Sequence, residues 1–282
     1  MVQDKILGMD GSRMRSKFDF VVYIGTPDEA VRALILNPET YVELGVFEDC
    51  TSVGERLARA VEKIKMTYPC SALSRAVAVL SDGFFARDTV TIPTADIGTA
   101  ERALTFDLNR TYSDRERDEI RTSGVSHGGG KTVFSVTAIR GGLCRELRDS
   151  ASRLGIELTC IISSAQARIY SAVAESPSLK RGAFSILDIL DKSSQLIFVK
   201  DTIAIGSYGI AVGRERIDES QLIAGTVLGE NTWLREIDDF GKIYVCAESK
   251  KQTPQERADN ADLYGATLLG HYKKSIVFGG GK

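Results

Sequence analysis

No apolar run in the chain approaches the ~18 residues that a membrane-crossing helix needs, so nothing in it is expected to span a bilayer. The opening stretch MVQDKILGMDGSRMRSK lacks a long apolar core and does not read as a secretory signal. Histidine is scarce, with His127 and His271 the two present, which argues against a histidine-built metal centre. The five cysteines (Cys50, Cys70, Cys144, Cys160, Cys246) are odd in number, widely spread and without a CxxC pair. They fit reduced thiols in a cytosolic protein. An excess of one charge is missing too: 36 basic against 38 acidic residues give a formal charge of −2. That balance leaves no footprint for nucleic acid or anionic lipid. No Ser–His–Asp, Cys–His or paired-carboxylate arrangement stands out.

What remains is 282 residues, 43% of them hydrophobic, enough for two domains or one large bilobed one. After a charged lead-in, Phe18–Ile24, Ala30–Leu36 and Tyr41–Phe47 read as three sequential strands joined by turn-rich GTPDE and NPET. Helical spacing predicts a helix over Ser52–Thr67, with Thr51 or Ser52 as N-cap and Glu55 closing a capping box. Ala76–Leu80 reads as a strand buried on both faces. Residues 84–162 then read strand–helix–strand–strand–helix–strand, a compact α+β unit, and Ser164–Val173 is a helix returning to the first unit. Within that stretch the charged SDRERDEIRTSG leads into a loop tip at SHGGGK. Further on, Asp218–Leu228, Trp233–Ala247 and Pro254–His271 read as helices, and Ser275–Phe278 as a short strand entering three glycines.

The chain is organised around Phe184–Gly213, which reads strand, turn, strand, turn. A buried strand ending in Asp188, followed by a turn bearing Ser193 and Ser194, offers one carboxylate and several N–H groups to a phosphate or its metal. An ordinary hairpin explains the same residues. Gly25–Thr26 is either a place where backbone can approach a phosphate or a plain hairpin turn. Glu248 and Lys251 share a face of a helix, as a solvated salt bridge or as a ribose holder. FGGGK at 278–282 is a linker, or backbone laid flat against a base or sugar. GVSHGGGKT at 124–132 misses the Walker A pattern, because Val125 stands where its first glycine belongs and a strand follows in place of a helix.

Taken in order, YIGT at 23–26, LDILDKSS at 187–194, AESKK at 247–251 and FGGGK at 278–282 resemble the two phosphate loops, the AExxK helix and the adenosine loop of the actin-like ATPase superfamily. The unit at 84–162, with VAVLSDGFFARDTVTIP and IAIGSYGIAVG, resembles the FtsA and PilM branch, PilM being the actin-like protein of type IV pilus assembly. The resemblance implies an α/β, actin-like (ribonuclease H-like) fold of two lobes with an inserted α+β subdomain. Residues 17–83 and 163–180 would form the first lobe, 84–162 the insertion, and 181–282 a second lobe expected to continue beyond Lys282.

It also implies ATP with Mg as cofactor. Gly25, Thr26, Asp188, Ser193, Ser194, Glu248, Lys251, Gly279, Gly280 and Gly281 would be the nucleotide-binding residues, and Asp188 the metal ligand. Two departures point to weak or lost hydrolysis. Tyr23 stands where the family carries an Asp, and Leu190 where it carries the Gly of DIG. The implied role is a cytoplasmic scaffold of a pilus or related secretion machine. It would dock the N-terminal cytoplasmic tail of a PilN-like inner-membrane protein in a groove beside the insertion, reach the membrane only through that partner, and leave self-association open. An active ATPase or small-molecule kinase, or an FtsA-like filament former, is the alternative.

Overall fold

The computed structural model describes residues 18–37, 39–68, 73–112, 119–190, 192–230, 243–245, 261–269 and 278. Its first sheet starts with a meander of β1 (Phe20–Ile24), β2 (Val31–Leu36) and β3 (Glu39–Gly45). Helix α1 (Val53–Thr67) then returns the chain to β4 (Arg75–Leu80), parallel to β1. Ser52 caps α1 and Glu55 completes the expected capping box, so the helix starts where two orphan amides find partners. A fifth strand, β8 (Glu157–Ser163), pairs parallel with β4, giving the order β3-β2-β1-β4-β8.

All five residues of β1 are buried, because helices cover both faces of this sheet. Phe20, Val22 and Ile24 share a core with α1 and α3 (Gly141–Arg153). Val21 and Tyr23 point the other way, toward α4 (Ser164–Glu175) and α6 (Ala261–Thr267). Strand β12 (Ile243–Val245) precedes α6 in the chain.

The second sheet repeats the plan. Strands β9 (Ala183–Ile189), β10 (Ser194–Lys200) and β11 (Ile203–Ile210) form an antiparallel meander, and β12 lies parallel to β9. Its order, β11-β10-β9-β12, matches the first four strands of the first sheet. Helix α5 (Ile217–Glu230) contributes Ala224 and Val227 to one face. On the other face α4 buries Ala165, Ile169, Ala172 and Val173 against Phe184, Ile186, Ile197 and Val199. The same helix sends Ala167 and Tyr170 to the first sheet. It is therefore the common wall between the two sheets, and Ser164–Val173 is buried throughout.

The third sheet is β5 (Phe85–Ile92), β7 (Lys131–Ile139) and β6 (Glu119–Gly128), in the order β5-β7-β6, with α2 (Ile97–Tyr112) packed on it through Ala100 and Leu104. The Ser135 hydroxyl donates to the Ala204 carbonyl of β11 at 3.1 Å, tying this sheet to the second.

Several expectations change. The last strand expected in the 84–162 unit, β8, belongs to the first sheet, and α3 packs on α1, where Glu146 accepts the Gly54 amide at 2.6 Å. A strand that buries Leu158 and Cys160–Ile162 gains more beside buried β4 than on the edge of a small sheet. The second strand expected in that unit, which the sequence alone leaves without bounds, is β6, and the charged stretch enters it at Glu119, since polar residues suit an edge strand facing water. Ile243–Val245, expected within a helix, is a strand, as three β-branched or aromatic residues beside β9 favour.

Helix α6 and Phe278, both expected in the second lobe, pack on the first sheet. Gly265 lets α6 approach α4, because a Cβ there would meet the Ala167 carbonyl oxygen at 1.7 Å. Phe278 bridges Ile161 of β8, each amide donating to the other's carbonyl at 2.8 Å, and its ring lies 5.6 Å from that of Phe85.

Candidate functional site

Strand β1 delivers the chain into the turn Gly25–Glu29. The Glu29 amide donates to the Thr26 carbonyl at 3.0 Å, and the Thr26 hydroxyl donates to Asp28 at 2.7 Å. That hydroxyl, more than the nearby Lys192 ammonium, holds the Asp28 carboxyl below the usual range. The Glu29 side chain folds back over the turn. One of its oxygens accepts the Thr26 amide at 2.6 Å and the Tyr23 phenol at 3.1 Å. A Cβ on Gly25 would stand 1.8 Å from that oxygen, so only glycine leaves room for it. The buried Arg56 guanidinium donates to the Gly25 carbonyl from behind.

The β9–β10 turn carries Lys192, whose ammonium adds a smaller pull on the Asp28 carboxyl. Its backbone closes through the Leu190 amide to the Ser193 carbonyl at 2.9 Å, and the Leu190 side chain stands exposed. Ser193 is half-buried. Ser194 is turned inward: its hydroxyl donates to the Val212 carbonyl at 2.5 Å and meets the Ser220 hydroxyl at 3.0 Å.

Below the turns lies a buried set of charges. Asp188, on β9, takes the Arg168 Nε at 2.7 Å. Asp262, on α6, takes Arg32 of β2 at 2.9 Å and faces the Arg168 Nη2 at 3.8 Å. Arg32 also lies 4.4 Å over the Tyr23 ring. Burial pushes the Asp188 carboxyl up against the pull of Arg168. Burial acts on Asp262 as well, but Arg32 and Arg168 outweigh it and hold that carboxyl low.

A second buried node joins all three sheets. Asp82, just past β4, takes Arg87 of β5 through two bonds of 2.9 and 3.0 Å, and Gln195 of β10 at 2.8 Å. Arg87 reaches on to the Ser163 hydroxyl at 2.6 Å, at the cap of α4.

Gly25, Thr26, Asp188 and Ser193 are thus brought to one end of the two sheets, whereas the Ser194 hydroxyl is directed away from it. Glu248, Lys251, Gly279, Gly280 and Gly281 lie outside the described residues. Sequence reasoning missed Glu29, Arg32, Asp82, Arg168 and Asp262. Two of them carried a signal: Arg168 is a lone charge in the apolar run SSAQARIYSAVA, and Thr26 to Glu29 has capping-box spacing.

The described residues do not fit a Mg-nucleotide. The Thr26 amide is engaged by Glu29, the Asp188 carboxylate by Arg168 and the Ser194 hydroxyl by Val212. No group of three His, Cys, Asp or Glu side chains suited to a metal ion occurs among the described residues.

The chain is similar in fold to a solved PilM–PilN type IV pilus biogenesis complex, with 14% identity over 79% of this chain and 72% of that one, and a TM-score of 0.53. The fold is actin-like. Two further structures match at lower scores. One is the cytoplasmic domain of EpsL, an inner-membrane component of the Vibrio cholerae type II secretion system, with 11% identity, 80% of each chain and a TM-score of 0.44. The other is a Bacteroides thetaiotaomicron protein with an actin-like ATPase fold, with 11% identity, 90% of this chain, 98% of that one and a TM-score of 0.43. No protein-family model matches the sequence, and no curated protein matches it. Among the described residues no helix is long and apolar enough to cross a membrane.

Proposed function

We propose that this chain is a non-hydrolysing actin-fold scaffold in a type IV pilus or related secretion assembly, attached to the inner membrane by the cytoplasmic N-terminal tail of a PilN-like protein. The observation that carries the loss of hydrolysis is that the amide of Thr26 and the carboxylate of Asp188 already have partners within the chain. A metal–phosphate would have to break two charge-assisted hydrogen bonds to enter, each worth about 1.5–3 kcal/mol. The likeness in fold to the PilM–PilN complex supports the partner class. Strand β6 lies on the outside of the three-stranded sheet, where an extended tail can add main-chain hydrogen bonds.

The test has two arms. A fluorescent peptide of the PilN-like tail from the source cell is titrated with the full chain, and phosphate release from ATP is followed in parallel. Saturable peptide binding with no turnover above a heat-denatured control is expected. Steady ATP turnover by a chain that ignores the peptide would replace the scaffold with an enzyme.

A further inference from the structure

The Glu29 oxygen over Gly25 has the surroundings of a bound oxyanion. It accepts a main-chain amide at 2.6 Å and a phenol at 3.1 Å, and it occupies the flank that the missing Gly25 side chain leaves open. Burial keeps the Tyr23 phenol protonated and therefore donating. The setting is also cationic. Arg56 lies behind the turn within range of the Glu29 charge, and its Nε is buried with no hydrogen-bond partner among the described residues. The Lys192 ammonium also adds a small pull on Asp28 of the same turn. A backbone N–H beside a glycine, with an arginine behind, is an arrangement that holds phosphate oxygens. Here a carboxylate of the same chain sits on it. Glu29 is only half-buried, although its carboxylate also accepts from the buried Tyr23 phenol.

We propose that Glu29 is a built-in plug: its carboxylate holds the place of a phosphate oxygen on the Gly25–Thr26 turn, and without it the turn accepts a polyphosphate. The proposal rests on the reading above, in which the chain keeps an actin-like fold without turnover. A turn-stabilising role alone would cost Glu29→Ala some stability and create no binding.

The full chain, Glu29→Ala, Glu29→Gln and Asp28→Asn are titrated with a fluorescent ATP analogue in Mg buffer, with inorganic tripolyphosphate as competitor. Thermal melts of each variant report folding. Glu29→Ala is expected to bind at least about tenfold more tightly than wild type, with Glu29→Gln between them, and tripolyphosphate should displace the analogue. Asp28→Asn removes the same charge from the same turn and should gain less than about threefold.

Equal gains for Asp28→Asn and Glu29→Ala would reduce the effect to charge and overturn the plug. No gain for Glu29→Ala or for the conservative Glu29→Gln would overturn it while leaving the scaffold standing. Tight binding with turnover by wild type would sink both.

Discussion

Replacing Arg168 by methionine removes the cation that pairs with Asp188 and also faces Asp262. Arg168 and Asp188 are almost wholly buried and meet at 2.7 Å, while Asp262 keeps Arg32 at 2.9 Å. At an effective dielectric of about 20, unit charges about 4 Å apart attract by about 4 kcal/mol. Removing one partner of a buried pair costs about 3–5 kcal/mol, because the other charge is stranded. Arg168→Met should therefore lose about 4 kcal/mol at pH 7.5, a large part of the ~5–15 kcal/mol that a folded domain has.

The loss should shrink on acidification. Burial already raises the Asp188 carboxyl above its ordinary range, and without Arg168 it rises further. A raised group contributes stability that is complete below its unfolded pKa and is lost as pH rises through its folded pKa. At pH 5 the variant can keep Asp188 neutral, so its deficit is smaller there than at pH 7.5. Arg168→Met/Asp188→Leu, which removes both charges, should return to within about 1 kcal/mol of wild type. Urea denaturation followed by circular dichroism at both pH values measures this. A single-variant loss below about 1 kcal/mol, or one that does not change with pH, would refute the assignment of Arg168 as the counter-charge of Asp188.

Two further expectations concern packing. Gly265→Ala should destabilise by about 2–3 kcal/mol in the same assay, since its Cβ would meet the Ala167 carbonyl oxygen at 1.7 Å and drive α6 off α4. Phe278→Ala should cost about 3–5 kcal/mol by emptying a fully buried site beside Phe85. Hydrogen exchange at the Ile161 amide, which donates to the Phe278 carbonyl, should then speed up, and unchanged protection would show that the ring does not hold this bridge.

The sequence by itself determined the elements whose signals are local. Alternation and apolar runs marked β1, β2, β4 and the β9–β10–β11 meander, and the Ser52–Glu55 box marked the start of α1. Each of these depends on residues within a turn or two of one another. The same local reading placed a tight turn at Gly25–Thr26 and an acid at the end of β9. It failed where neighbours far along the chain decide the outcome. An apolar strand such as β8 carries no mark of which sheet it will join, and Ile243–Val245 is a strand because β9 offers it an edge.

The site divides in the same way. Asp188 was legible as a carboxylate, but its charge partner comes from α4. The next aspartate, Asp262, draws on Arg32, which lies 230 residues away. Whether a buried carboxylate is free for a metal or neutralised by an arginine depends on which charges the fold brings within a few ångströms. Coulomb energy in a low-dielectric interior follows distance in space and is indifferent to distance along the chain.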